Sequence, residues 1–192
     1  MRHVKRSLLR LTIFALVFPL LSACSTSAER PPATAPAPAP SALEKLADHG
    51  RIAVSAQPTA QDLQTLAAQG YTHIVSVRTQ AEMDDRKAVP FDEPVLAAEL
   101  ALQFQLLPVG GDQPFRPELA DGLALALQDP QAKVLLHCAS GARASQVYAA
   151  YAVKYLGMEP DAALRQTEAF GAWPLPLERM TGIRLKVVRA EE

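Results

Sequence analysis

Cysteine is scarce in this chain of 192 residues, which contains only Cys24 and Cys138. Two cysteines are too few for the disulfide framework that stabilises many small secreted domains. Histidine is scarce as well, and no two of the four histidines have the spacing of metal ligands. The sequence therefore excludes a disulfide scaffold and implies no metal and no other cofactor.

An excess of positive charge is also lacking, since the formal net charge at pH 7 is −1. Four of the 19 lysines and arginines lie in the first 23 positions, so the rest of the chain has 15 of them against 20 acidic residues. A domain with that balance has no positive surface to attract a phosphate backbone. Nucleic acid is therefore excluded as a partner. The hydrophobic fraction of 49% is sufficient for one compact core.

Acidic residues are absent from the first 23 positions, where a basic segment, 1–10, precedes an apolar stretch, 11–21. This order is typical of a secretory signal peptide. The tetrapeptide "LSAC" then ends at Cys24 and resembles the lipobox of bacterial lipoproteins, in which the cysteine becomes the lipid-modified first residue of the mature chain. An uncleaved transmembrane anchor is the alternative, although the apolar stretch is short for a span and contains Pro19.

The lipobox resemblance implies a lipid anchor on Cys24, in a bacterial cell envelope. Ser25 follows the cysteine, and in Gram-negative lipoproteins a residue other than Asp at that position implies transfer to the outer membrane. Residues 25–42 are rich in proline and alanine, so they are expected to form a semi-extended tether. We therefore predict a signal peptide at 1–23, a lipidated tether at 24–42, and a periplasm-facing domain at 43–192 that the anchor holds at a lipid bilayer.

Helical and strand patterns alternate from residue 41 onward. The expected strands are 51–56, 72–77, 104–109 and 132–138. The expected helices are 41–50, 57–70, 94–103, 116–129, 142–157 and 159–170. Strands separated by helices form a mostly parallel sheet covered on both faces, whose ligands gather at the carboxyl ends of the strands. We therefore predict an α/β domain in which the most apolar strand, 132–138, is central.

The sequence "HCASGARAS", residues 137–145, joins that strand to the following helix. Cys138 starts the turn, and Gly141 lets the backbone fold back tightly. Turn amides and the helix N-terminus favour negative charge, so Cys138 is expected to be partly thiolate at neutral pH. Arg143 offers a planar fork that grips two oxygens of an anion. A nucleophile, an anion cradle and a charge clamp together predict attack on a phosphorus or sulfur centre that bears anionic oxygens.

This stretch resembles the signature loop of cysteine-dependent protein tyrosine and dual-specificity phosphatases, which has His-Cys, five residues, Arg and then Ser or Thr. Here four residues separate Cys138 from Arg143, Ala144 stands at the usual arginine position, and Ser145 matches the Ser or Thr. A four-residue spacing occurs in a bacterial branch, the phosphatase-like domain of beta-lactamase-hydrolase-like proteins. That branch opens with a strand, Gly-or-Ala-Gln-Pro and a helix rich in Asp and Leu, similar to "VSAQPTAQDLQTLAAQGYTHIVSVR" here. The resemblance covers most of residues 51–180.

The phosphatase resemblance implies a dual-specificity-phosphatase-like fold with the Cys loop between the central strand and a helix. It also implies hydrolysis of a phosphorylated protein or a small phosphate ester, with Cys138 as the nucleophile that forms a cysteinyl-phosphate. His137 and Ser145 are expected to support the loop. The implied phosphate-binding residues are Ala139, Ser140, Gly141, Ala142 and Arg143.

A general acid is needed to protonate the leaving oxygen, and phosphatases of this group carry an aspartate on a loop after an earlier strand. Asp112, in the tight polar loop at 110–115, is the candidate, and two glycines before it give the loop freedom. Asp84 and Asp85, in the polar connection at 78–93, are the alternatives, since a Gly-Asp turn also occurs without any catalytic role.

Three other roles for the loop stay open. Cys138 could simply be a buried thiol beside a helix start. Rhodanese-like sulfurtransferases, which form a cysteine persulfide, also place a cysteine loop after a strand, but Ser76 stands where their Asp-Val-Arg segment has its aspartate. A non-catalytic phosphate- or partner-binding module would use the same cradle without turnover. The strand, Gln-Pro and helix opening fits the phosphatase branch better, whereas residues 79–94, expected to set the pocket depth, contain no motif that identifies a substrate.

Overall fold

The computed structural model describes residues 40–171 and 173–186. The predicted signal peptide, Cys24 and the tether up to residue 39 lie outside these residues, as does the tail from residue 187. Within the described ranges, no helix has the length and the hydrophobicity that crossing a bilayer requires.

Five strands form one sheet in this part of the chain. They are β1 Ala47–Asp48, β2 Ile52–Ser55, β3 His73–Ser76, β4 Gln103–Leu106 and β5 Val134–His137. Their order across the sheet is β1-β2-β5-β3-β4, in which β2, β5, β3 and β4 are parallel and β1 pairs antiparallel with β2 at one edge. The predicted mostly parallel α/β fold is confirmed, and β5 lies in the middle of the sheet as its composition predicts.

Helices cover both faces of the sheet. They are α1 Ala60–Ala68, α2 Gln80–Asp84, α3 Glu93–Glu99, α4 Glu118–Ala126, α5 Ala142–Leu156, α6 Pro160–Gln166 and α7 Pro174–Thr181. Successive side chains of a strand point to opposite faces, so Leu135 and Leu136 of β5 belong to different cores. Leu135 packs with side chains of α1 and α3, and Leu136 with side chains of α4, α5 and α7. Because both leucines are fully buried, β5 is packed on both faces and fixes the start of the Cys138 loop that follows it.

The predicted helix at 41–50 is wrong. A 3₁₀ turn spans Ala42–Lys45, and the edge strand β1 follows it. The carboxylate of Asp62 in α1 accepts hydrogen bonds from the Ser41 hydroxyl, at 2.6 Å, and from the Ala42 amide, at 3.0 Å. Backbone N–H and C=O groups at the ends of a short helical turn have no hydrogen-bond partner within the turn, and the pairing of β1 with β2 supplies partners for this segment. Tertiary contacts therefore override the local helical pattern.

Two helices depart from the sequence expectations. α2 lies within the predicted polar connection at 78–93, where Thr79 and Glu82 form a capping box. α7 has prolines in its first turn, where a helix tolerates them, and its buried Leu177 and Met180 pack in the same core as α5. The predicted helix at 159–170 divides into α6 and a 3₁₀ turn.

Candidate active site

Cys138 follows β5 directly and lies at the carboxyl edge of the parallel strands. Its side chain is buried, while the next two residues, Ala139 and Ser140, are exposed. The Gly141 amide donates to the sulfur at 3.1 Å. An N–H group aimed at sulfur favours negative charge on it.

Gly141 makes the sharp turn of this loop. Its φ of 90° lies in the left-handed region, which glycine adopts without the cost that a side chain adds. The Phe170 ring also occupies the space beside it, since a Cβ at position 141 would lie 2.2 Å from Cδ1 of that ring. The first turn of α5 is held by Ser145, whose amide donates to the Gly141 carbonyl at 2.9 Å and whose hydroxyl donates to the Ala142 carbonyl at 2.9 Å.

Arg143 is held in place by Glu82 of α2. Its Nη2 lies 2.7 Å from Oε1 of Glu82, its Nη1 lies 2.8 Å from Oε2, and Nη1 also donates to the Val109 carbonyl. The hydrogen bonds from Arg143, helped by the Thr79 amide and opposed by burial, lower the pKa of Glu82 from 4.5 to about 2. The pKa of Arg143 is raised, first by the hydrogen bonds to Glu82 and, against burial, by the charge of Cys138. The fold therefore brings the predicted nucleophile and the predicted clamp together.

Asp112 lies on a tight turn beside Arg143. Gly110 and Gln113 close this turn with two backbone hydrogen bonds, at 2.9 and 3.0 Å, and Asp112 is exposed between them. A Cβ at Gly110 would lie 2.9 Å from Nη1 of Arg143, so the turn packs directly against the guanidinium. The fold thus places the loop that carries the predicted acid next to the predicted clamp.

The alternative acids, Asp84 and Asp85, lie at the end of α2 and are exposed. Asp84 accepts a hydrogen bond from the Gln80 side chain at 2.9 Å, and Asp85 accepts from the Lys87 amide at 3.0 Å. Both carboxylates are engaged in local bonds of their own segment. The described residues contain no group of three or more His, Cys, Asp or Glu side chains that could hold a metal ion.

His137 lies behind the loop beside Glu93, and both side chains are fully buried. Its Nε2 is 2.8 Å from Oε1 of Glu93, but the oxygen lies off the ring N–H direction, so the contact is close without being an aligned hydrogen bond. The other oxygen of Glu93 accepts a hydrogen bond from the Gln57 side chain at 3.1 Å. The backbone amide of Gln57 donates to the Ala139 carbonyl at 3.2 Å. Arg78 donates to Oε1 of Gln57 at 2.6 Å.

Sequence reasoning missed three members of this site: Glu82, Glu93 and Gln57. Gln57 could have been found from the sequence, because it is the glutamine of the Gln-Pro opening that carries the phosphatase resemblance. Glu82 could also have been found, because it stands three residues after Thr79 as the second half of a capping box. Glu93 could not, because it resembles an ordinary charged residue in the first turn of a helix.

Comparisons with known proteins identify a family and a shared fold. Residues 41–176 match the family model described as "Swiss Army Knife protein, DSP-PTPase phosphatase domain". Among curated proteins, none matches the chain by sequence.

Three solved phosphatase structures share the fold. Tk-PTP in its active form has a TM-score of 0.59 at 17% identity, over 72% of this chain and 97% of its own. TpbA of P. aeruginosa, a cysteine-to-serine form in complex with phosphotyrosine, has a TM-score of 0.52 at 24% identity, over 70% of this chain and 79% of its own. PTPMT1 in complex with PI(5)P has a TM-score of 0.59 at 17% identity, over 70% of this chain and 90% of its own.

Proposed function

This chain belongs to the Swiss Army Knife family of DSP-PTPase phosphatase domains and is thus a phosphatase that hydrolyses phosphate esters; on that premise we propose that it acts through a cysteinyl-phosphate on Cys138. The observation that carries the proposal is the hydrogen bond of 3.1 Å that the Gly141 amide donates to this sulfur, at the carboxyl edge of the parallel strands. A buried thiol with no reaction to perform does not need an N–H group aimed at its sulfur.

The reaction has two steps. In the first, the Cys138 thiolate attacks phosphorus, so that an S–P bond forms and the P–O bond to the leaving group breaks, while Asp112 gives its proton to the departing oxygen. In the second, the Asp112 carboxylate takes a proton from water, which attacks phosphorus and releases inorganic phosphate and the thiolate. Arg143 and the amides of residues 139–143 hold the three remaining phosphate oxygens through both steps.

The substrate class is a phosphate monoester on a protein or a small molecule. TpbA with phosphotyrosine and PTPMT1 with PI(5)P support both kinds, since these proteins share the fold and bind an aromatic and an inositol phosphate. We propose the same chemistry for this chain.

We also propose that Cys24 carries a lipid, and that the tether ending at residue 42 holds the phosphatase domain at the periplasmic side of the outer membrane. The "LSAC" sequence and the Pro/Ala-rich stretch support this. The intact chain, expressed in a Gram-negative host, is expected to fractionate with outer membranes and to incorporate labelled fatty acid. The Cys24→Ser variant should do neither, and labelling of that variant would contradict the assignment.

The catalytic proposal is tested with the intact chain in detergent and two substrates, para-nitrophenyl phosphate and phenyl phosphate. Cys138→Ser should abolish phosphate release from both. Asp112→Asn should slow phenyl phosphate by about 100-fold or more, because phenoxide needs a proton, and should slow para-nitrophenyl phosphate far less. Asp84→Asn is the matched control and is expected to change neither rate.

Three outcomes would contradict this proposal. If Cys138→Ser keeps its turnover, the nucleophile is wrong. If Asp84→Asn gives the selective loss and Asp112→Asn does not, the acid is wrong. If the wild-type chain releases no phosphate and forms a persulfide with thiosulfate, the chemistry is sulfur transfer.

A further inference from the structure

A continuous line of polar side chains runs behind the Cys138 loop. It starts at His137, which contacts Glu93 at 2.8 Å, and continues through Gln57 at 3.1 Å to Arg78 at 2.6 Å. Arg78 then donates to the Glu82 backbone carbonyl at 2.9 Å. Because the Glu82 carboxylate holds Arg143, this line connects the residue before the predicted nucleophile with the predicted phosphate clamp.

Glu93 is the central member of this line. Its carboxylate is fully buried and meets two different partners, one with each oxygen. Burial alone would raise the pKa of Glu93, but the charge and contact of His137, the hydrogen bond from Gln57 and the charge of Arg78 outweigh it and lower that pKa. The carboxylate therefore stays ionised inside the protein.

A buried carboxylate is a poor way to stabilise a fold. Removing such a charge from water is unfavourable, and well-packed apolar side chains of similar size commonly give equal or greater stability. The helix that carries Glu93 already packs through the buried Ala97 onto the core of α1 and β5. The charge is therefore better explained by what it holds in place than by what it adds to stability.

Glu93 is linked to both neighbours of Cys138. On one side it lies 2.8 Å from Nε2 of His137, the residue directly before Cys138. On the other side it accepts a hydrogen bond from the side chain of Gln57, and the backbone amide of Gln57 donates to the carbonyl of Ala139, the residue directly after Cys138, at 3.2 Å. Because Gln57 binds the Ala139 carbonyl, that oxygen is kept from opposing an anion held by the loop amides.

We propose that Glu93 is a positioning residue of the phosphatase site, which acts through His137 and Gln57 to hold the Cys138 loop and, through Arg78 and Glu82, Arg143 in their reactive arrangement. The inference rests on the proposed function of Cys138. Glu93 does not touch the phosphate. It lies behind the loop, and its loss should let the sulfur and the anion-binding groups move relative to each other.

The expected effect falls on turnover. A displacement of about 1 Å between reacting groups can cost about 100-fold in rate, so Glu93→Gln should lower kcat by about 10- to 100-fold. The glutamine keeps the size of the side chain but offers N–H groups to partners that are themselves donors. KM should change less than kcat. Cys138 should also react more slowly with iodoacetamide at pH 7, because the sulfur loses its aligned amide.

The experiment compares Glu93→Gln with Glu99→Gln in the intact chain. Glu99 is an exposed glutamate on the same helix and is expected to leave every readout unchanged. Turnover of para-nitrophenyl phosphate, alkylation of Cys138 and the unfolding midpoint are measured for each. A lower midpoint with wild-type kcat and wild-type alkylation would mean that Glu93 is merely structural and would overturn the proposal.

A variant that fails to fold does not end the test. Gln57→Leu, at a partly exposed position, cuts the line towards Arg78 and leaves the contact of Glu93 with His137 in place. It should also lower kcat more than it raises KM, and an unchanged kcat would overturn the proposal. If the wild-type chain hydrolyses nothing, the proposed function fails, and alkylation of Cys138 still tests the role of Glu93 alone.

Discussion

Gly141 offers a sharp test of how the loop is built, because two separate features exclude a side chain there. Its φ of 90° lies in the left-handed region, and a Cβ would lie 2.2 and 2.4 Å from two carbons of the Phe170 ring. Gly157 at the other end of α5 is a matched control. Its φ is 66°, and a Cβ there meets nothing within 4 Å.

The two features have separable energies. A left-handed backbone costs a residue with a side chain about 1–2 kcal/mol. Forcing a methyl group into the Phe170 ring costs about 1–3 kcal/mol more, since the ring is buried and has little room to move. Gly141→Ala should therefore lose about 2–5 kcal/mol of unfolding free energy, and Gly157→Ala about 1–2 kcal/mol.

The assay is thermal unfolding of both variants followed by circular dichroism, with urea titrations for the free energies. For a domain of this size the Gly141→Ala midpoint should fall by roughly 4–20 °C, and each kcal/mol corresponds to about 2–4 °C. Adding Phe170→Ala should make the glycine substitution cheaper, because the opposing ring is gone. If Gly141→Ala and Gly157→Ala lose the same free energy, or if Phe170→Ala changes nothing, the packing argument is refuted.

Two further predictions concern the ion pair between Glu82 and Arg143 and the packing of Leu135 in the core. The lowered pKa of Glu82, about 2 against 4.5, means that its ion pair with Arg143 stabilises the fold fully above about pH 4.5 and is lost as the pH falls towards 2. Glu82→Gln should therefore lose about 1 kcal/mol at pH 7, after allowance for solvent screening of a carboxylate that is a third exposed, and should flatten the acid side of a urea stability profile. Equal pH profiles for the two proteins would contradict this. Leu135→Ala should lose about 2–5 kcal/mol in the same assay, whereas Leu125→Ala, at an exposed position on α4, should lose under about 0.5 kcal/mol; similar losses would contradict the assignment of β5 to the centre of the core.

The elements that could be predicted are those with a complete local signal. β5 begins with three apolar residues, and all four of its residues are buried. Thr59 caps the start of α1 and forms, with Asp62, the capping box that their spacing indicates, and Gly157 caps the end of α5 in the left-handed conformation. In each case the stabilising contact lies within a few positions along the chain, so the sequence contains both partners.

The failures have a different cause. The residues at 41–50 have a helical pattern, but β2 offers their backbone an edge to pair with. α2 is only five residues long and lies in a polar segment, and its Glu82 contacts a partner 61 positions further along, Arg143. No local pattern reports such a partner.

The sequence by itself therefore determined the alternation of strands and helices, the central place of β5, and a cysteine, a glycine and an arginine on one turn at the carboxyl edge of the sheet. These follow from periodicity, capping and the geometry of parallel strands. Only the tertiary structure decided that Glu82 grips Arg143, that Phe170 covers Gly141, and that Glu93 and Gln57 stand behind the loop. Buried charges need partners, and in this fold those partners come from helices and strands that are distant in the chain.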